Sequence, residues 1–157
     1  MPLNIELITD RTQDDVVRWK ALRKKGFAGM TEEEQEEWLL GPKGAYSPHS
    51  DMNRVANAIR FLVQVFALAD IKVSVTAKND WTYGDIPKPA DLETYLDDIR
   101  TLRDAINLDG YPLPENMVNL TVDGANDIEK MLQFISDGID RLRDRWWHCN
   151  EIYCGEV

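Results

Sequence analysis

The sequence predicts a mainly α fold, a helical bundle of about four to five helices with a small β element, built as one domain over residues 1–157. Three observations lead there. Apolar residues recur at three- and four-residue steps along several long stretches, the spacing that puts them on one face of a helix. Thr, Ser or Pro stands at the head of these stretches, and Gly or Pro follows most of them, as helix starts and stops require. Short stretches near residues 3–8, 71–76 and 150–157 read instead as extended chain.

Taken in order, Leu3, Ile5 and Leu7 alternate with Asn4, Glu6 and Ile8 and predict a first strand. Thr12 opens a helix over residues 12–25, with Asp14 and Asp15 early and Arg23, Lys24 and Lys25 late, the charge order that the helix dipole favours. Val16, Trp19 and Leu22 give it an apolar face. Thr31 and Glu34 form a capping-box pattern for a short acidic helix ending at Gly41-Pro42, with Trp38 and Leu39 as its anchors. Ser50 caps a third helix, in which Met52, Val55, Ala56, Ile59, Leu62, Val63 and Phe66 trace a core stripe. Ile71, Val73 and Val75 alternate with polar residues as a half-buried strand does.

Residues 78–90 read as an ordered loop, since they combine Asn79-Asp80, Gly84, Pro87 and Pro89. Pro89 suits the first turn of the next helix, whose stripe runs from Leu92 through Tyr95, Leu96, Ile99 and Leu102 to Ile106. Asp109-Gly110, Pro112 and Pro114 end it. Thr121 opens the longest helix, striped by Ile128, Met131, Leu132, Ile135, Ile139, Leu142 and Trp146. The third, fourth and fifth helices are expected to form an antiparallel bundle with the first packed across them. Residues 148–157, a near-duplicated pentad, read as a strand-like C-terminal extension, and the three extended stretches together could form a small sheet.

The totals exclude several classes of function. A formal charge of −10 opposes nucleic acid, where Lys and Arg must neutralise phosphates. The longest apolar run, around Phe61–Ala69, is interrupted by Gln64 and is too short to span a bilayer, so no membrane partner is expected. The N-terminus lacks the basic and apolar regions of a signal peptide, which points to synthesis and folding in a cytoplasm. Gly-rich phosphate loops, nucleophile elbows and zinc-protease motifs are missing from the sequence, so no enzyme class and no cofactor is expected.

His148, Cys149, Cys154 and His49 are zinc-competent, but the C-x4-C spacing is loose and no second Cys pair accompanies it. Free thiols and no metal are therefore expected. Asn107, Asp109 and Gly110 mimic part of a calcium loop, yet Ala105 and Asn116 stand where ligands are needed and Pro112 and Pro114 break the backbone. Trp81, Tyr83 and Tyr111 lie in loops and could stack on a sugar ring, or simply pin their loops to the bundle. Glu32, Glu33, Glu34, Glu36 and Glu37 read as a solvated helix face, and Arg141, Arg143 and Arg145 as dipole compensation beside aspartates. Thr121 in Asn119-Leu120-Thr121 reads as a helix cap rather than part of a glycosylation acceptor.

Four blocks carry a resemblance. They are Leu7–Val16; Lys43-Gly44-Ala45-Tyr46 with Asp51-Met52-Asn53-Arg54-Val55; Asp80-Trp81-Thr82 through Asp85-Ile86-Pro87; and Trp147–Val157. Together they resemble a family of short proteins and modules encoded in phages and prophages of Firmicutes, nearly end to end. The resemblance implies a structural component of the tail or baseplate region, with other phage structural proteins or further copies of itself as partners, and it allows a place in the virion. Relatives carry serines where this chain has Cys149 and Cys154, which counts against an essential zinc site. The expected interface is Trp146, Trp147, Ile152, Tyr153 and Val157, because a free strand edge invites pairing with another chain. The alternative expectation is a host-surface carbohydrate-recognition module using Trp81, Tyr83 and Tyr111.

Overall fold

The computed structural model describes residues 3–153, with side chains described as far as residue 144. Helix α1 spans Gln13–Lys25, α2 Glu32–Leu40, α3 Asn53–Leu68, α4 Pro89–Ala105 and α5 Val122–Tyr153. A 3-10 turn at Phe27–Gly29 joins α1 to α2, and a wide π-type turn at Pro48–Met52 leads into α3. The helical class and the positions of all five helices agree with the sequence reading.

Local chemistry accounts for the helix ends. Thr12 and Asp15 close a capping box at α1, and Thr31 and Glu34 close the expected one at α2. Thr121 Oγ1 accepts from Gly124 N–H at 3.0 Å, the cap role expected of it. Ser50, expected to cap α3, lies inside the wide turn, and no side chain caps α3; Asp51 instead ties back the chain entering the turn by accepting from Ser47 N–H at 2.6 Å.

One core runs through α3, α4 and α5, with Phe66, Leu62, Ile99, Leu102, Ile128, Leu132 and Ile135 inaccessible to solvent. These positions follow the stripes read from the sequence. The anchor expected at Leu39 is not one, since that side chain is 52% exposed. Helix α1 buries only Leu22 and is not packed across the bundle. It pairs with α2 instead, through Arg18 with Glu37 at 3.0 Å and Lys25 with Glu34 at 2.5 Å.

The small β element is absent among the described residues. The alternation behind that expectation is nevertheless visible, because Leu3, Ile5, Leu7, Ile71, Val73 and Val75 are half-buried against the core while Asn4, Glu6, Lys72, Ser74 and Thr76 are exposed. What replaces the ladder is a set of helix-borne side chains. Asp98 accepts from the N–H groups of Thr76 and Ala77 at 2.9 and 2.7 Å, and Asn53 pairs with both the N–H and the carbonyl of Trp81 at 3.0 and 2.8 Å. A carboxylate or amide satisfies buried backbone as well as a neighbouring strand does.

These contacts also fix direction. The chain leaving α3 runs back along it: Ile71 bonds to Phe66, Ala77 to Arg60, and Trp81 to Asn53. Helix α4 therefore starts at the N-terminal end of α3. Residues 108–120 return likewise, with Arg100 donating to the carbonyl oxygens of Pro114 and Glu115. Glu129 of α5 then meets Arg54 of α3, and Gly138 lies against Ile106 at the end of α4. The core helices run parallel, not antiparallel, each followed by an extended return.

The third expected strand, residues 150–157, is also corrected. Helix α5 continues through Tyr153, and residues 154–157 lie outside the described part. The three- and four-residue steps that pass through Ile128, Leu132, Ile135, Ile139 and Leu142 continue at Trp146, Cys149 and Tyr153. That helical period runs straight through the repeated pentad.

Candidate functional site

Parallel helices bring the N-terminal ends of α3, α4 and α5 to one end of the molecule, and the N-terminal segment is clamped there by Arg11. Its guanidinium donates to Asp51 at 2.7 Å and to Glu129 at 2.6 Å. Arg54 donates to the same two carboxylates, at 2.6 Å to Asp51 and at 2.7 and 3.0 Å to Glu129. Glu129 also accepts from Ile8 N–H at 2.7 Å, and Asn126 pairs with the N–H and carbonyl of Arg11, both at 2.9 Å. Further donations from Arg11 reach the carbonyl oxygens of Ile8 and Lys43 at 2.7 and 3.2 Å.

Two cations and two anions make this cluster neutral, and it is deep: Glu129 is 0% and Asp51 2% exposed. Burial works against the charge on Arg11, but hydrogen bonds and charge from Glu129 and Asp51 more than offset it, so its pKa is raised. Arg54 is raised in the same way. Both carboxylates are committed to guanidinium and backbone donors, and among the described residues no buried side-chain polar atom lacks a partner. A charge group so closed holds the fold together; neither acid is positioned to trade a proton with a substrate.

Above the cluster the Arg11 guanidinium lies 5.2 Å from the Tyr46 ring, and Tyr46 shares a 2.5 Å hydroxyl contact with Tyr95. Burial raises the pKa of both phenols well above the ordinary value. Tyr46 takes a φ of +40°, a conformation costly for an aromatic residue and held here by its partners. Gly44 allows the loop to reach α1, because a Cβ there would collide with the Asp15 carbonyl.

A cleft of about 450 Å³ opens beside these residues. Trp19, Tyr46, Met52, Leu92, Met117 and Leu120 line it, with the first residues of α5. A second cavity of about 190 Å³ lies between Met52, Ile59, Trp81, Tyr95 and Asp98.

The residues expected to act as sites are dispersed. Trp81 is 7% exposed, its backbone held by Asn53 and its ring covered by Lys78 Nζ at 4.0 Å, so it pins its loop. Tyr83 is 59% exposed, accepts from Trp38 Nε1 at 2.8 Å and stands edge-on to His49. Tyr111 packs on Phe134, with ring centres 4.5 Å apart. His49 meets the Leu39 carbonyl, and no group of three His, Cys, Asp or Glu side chains able to hold a metal occurs among the described residues. Trp146, Trp147, Ile152 and Tyr153 lie on α5 with their side chains outside the described part, as is all of Val157. No described helix is long and apolar enough to cross a membrane.

The sequence reading missed the cluster itself. Arg11, Gly44, Tyr46, Asp51, Asn53 and Arg54 all belong to the blocks that carried the resemblance, but Asn126 and Glu129 do not. The available signal was a Glu set directly beside the stripe position Ile128. No protein-family description, curated protein or solved structure matches this chain.

Proposed function

We propose that the chain is a non-enzymatic structural or assembly module of a phage or prophage tail or baseplate region, acting through contacts with other structural proteins or with itself. The observation that carries this reading is the division of labour among its residues. Arg11, Asp51 and Arg54, from the blocks nearest the N-terminus, are turned inward and paired, holding the N-terminal segment and the helix ends together, while Asp10 and Asp80 stay exposed. Large apolar side chains are left outside, with Leu39, Leu40, Ile86, Val118 and Leu142 between 46% and 86% exposed. Adjacent exposed leucines such as Leu39 and Leu40 are the apolar surface that this reading assigns to a contact.

The test uses the full chain mixed, one at a time, with purified tail and baseplate proteins encoded beside it, read by sedimentation velocity. A defined complex that weakens when residues 148–157 are deleted is expected. No complex with any of them, and no self-association, would overturn the proposal. The carbohydrate reading now rests on Tyr83 and Tyr111 rather than Trp81, and a glycan array blank for the wild-type chain would remove it for the glycans displayed.

A further inference from the structure

We propose that two copies of this chain pair about a two-fold axis through the outer face of the α1–α2 hairpin, the basic face of α1 in each copy lying on the acidic face of α2 in the other. This rests on the reading above, that the module works through protein contacts, and specifies one of them. The hairpin stands apart from the rest of the fold. Helix α1 buries only Leu22, no residue of α2 is buried, and neither helix contributes to the core of α3, α4 and α5.

Arg18 and Lys25 of α1 reach Glu37 and Glu34 of α2, while Val16 and Trp19 line the cleft. At the helical period the remaining side of α1 carries Val17, Lys20, Ala21 and Lys24, all exposed, with Val17 at 58%. On α2, Glu34 and Glu37 turn to α1, and Gln35 donates to the carbonyl oxygens of Phe27 and Met30. The side left free carries Glu32, Glu33, Glu36, Leu39 and Leu40, again all exposed, the leucines at 52% and 69%. Among the described residues neither these two lysines nor these three glutamates take part in an ion pair. Lys25 meets the start of α2 and Arg18 its later turn, so the helices are antiparallel and their free sides face the same way, away from the bundle.

Charge chooses the occupant and its orientation. A surface that is basic along one helix and acidic along its neighbour is complementary to a second copy of itself. Two such hairpins can stack face to face about an axis across the helices, which sets lysine on lysine and glutamate on glutamate, or about an axis along them, which lays α1 on α2 of the other copy. Only the second is attractive. That axis keeps each residue at its own height. Since Lys25 stands level with Glu34 and Arg18 with Glu37 in one copy, Lys24 falls opposite Glu33, Lys20 opposite Glu36 and Val17 opposite Leu40 of the second copy. Each contact occurs twice. The face is small, roughly 20 Å by 20 Å for two helices of this length, so the pairing is weak and sensitive to salt.

Sedimentation velocity of the full chain, from about 10 µM to about 1 mM, reads the pairing. Wild type should pass from 18.1 kDa toward twice that mass and no further, because a two-fold contact closes on itself. The double variants Lys20→Glu/Lys24→Glu and Glu33→Lys/Glu36→Lys should each dimerise at least about tenfold more weakly, with unchanged far-UV circular dichroism. Mixed in equal amounts they should recover the wild-type affinity, since each supplies the charge the other lacks at both contacts. Cross-linking fixes the arrangement. Val17→Cys and Leu40→Cys, each with Cys149→Ser and Cys154→Ser, should form a disulfide with one another when mixed and oxidised; Val17→Cys linking to itself in preference would overturn the crossing of α1 on α2. A wild type monomeric at about 1 mM, or a dimer indifferent to both charge reversals, would overturn the pairing. Such a monomer that still binds a neighbouring tail protein would do so while leaving the broader reading standing.

Discussion

The two halves of α5 share one sequence period and have opposite surroundings. From Ile128 to Ile139 the stripe is covered by α3 and α4, and beside it Glu129 anchors two arginines out of contact with water. From Leu142 onward the same steps continue on a helix whose described residues are solvent-exposed, and Arg143 reaches Asp140 at 3.3 Å on the surface. Periodicity therefore identifies a helix face that seeks cover, but not whether the cover comes from its own chain. The difference lies in the neighbours: α3 and α4 are about half the length of α5.

The sharpest way to break this comparison is at the buried end. Glu129→Ala leaves Arg11 and Arg54 sharing Asp51 alone, with Ile8 N–H unpaired. Removing one partner from a buried ion cluster costs about 3–5 kcal/mol. That is a large part of the 5–15 kcal/mol typical of a domain, so the urea midpoint should fall steeply. A loss below about 1 kcal/mol would mean that the cluster does not hold the N-terminal segment.

A second effect separates the ends by pH. Tyr46 and Tyr95 are raised in the folded state above an unfolded value near 10. Their contribution is complete below that value and is lost as pH climbs from there toward the folded pKa, because the unfolded chain releases its protons first. Each group gives a slope of roughly 1.4 kcal/mol per pH unit in that window. Tyr95→Phe should therefore flatten the alkaline stability profile by about half. The arginines stay charged throughout the range. An unchanged slope in Tyr95→Phe would show that the phenols are not the titrating groups.

How much was legible follows the physics of each signal. Helix positions and core residues such as Ile59, Leu96 and Ile135 could be read because burial imposes a local period. Direction could not, because it resides in contacts such as Asn53 with Trp81 and Arg100 with Glu115, far apart in sequence. The lengths of residues 69–88 and 106–121 were the available hint, since short loops join antiparallel neighbours and returns between parallel helices must be long. The strand readings failed for a related reason. Alternation reports a half-buried extended chain, whereas a ladder also needs a second chain, and here Asp98 and Asn53 take that place. Of the cluster, Arg11, Asp51 and Arg54 lay in the blocks on which the resemblance was drawn, but nothing local marks Glu129 as their partner.

The smallest effect on stability carries the comparison furthest. Ile135→Ala and Leu142→Ala remove side chains from the same stripe two steps apart. The first opens a cavity in a closed core and should cost about 2–5 kcal/mol. The second removes a side chain already 46% exposed and should change monomer stability by no more than about 0.5 kcal/mol. Paired urea titrations at low protein concentration measure both. Comparable losses would place Leu142 in the monomer's own core and erase the difference between the two halves of α5. A small loss at low concentration that grows as concentration rises would locate its cover in another molecule, because association adds stability by mass action only where copies meet.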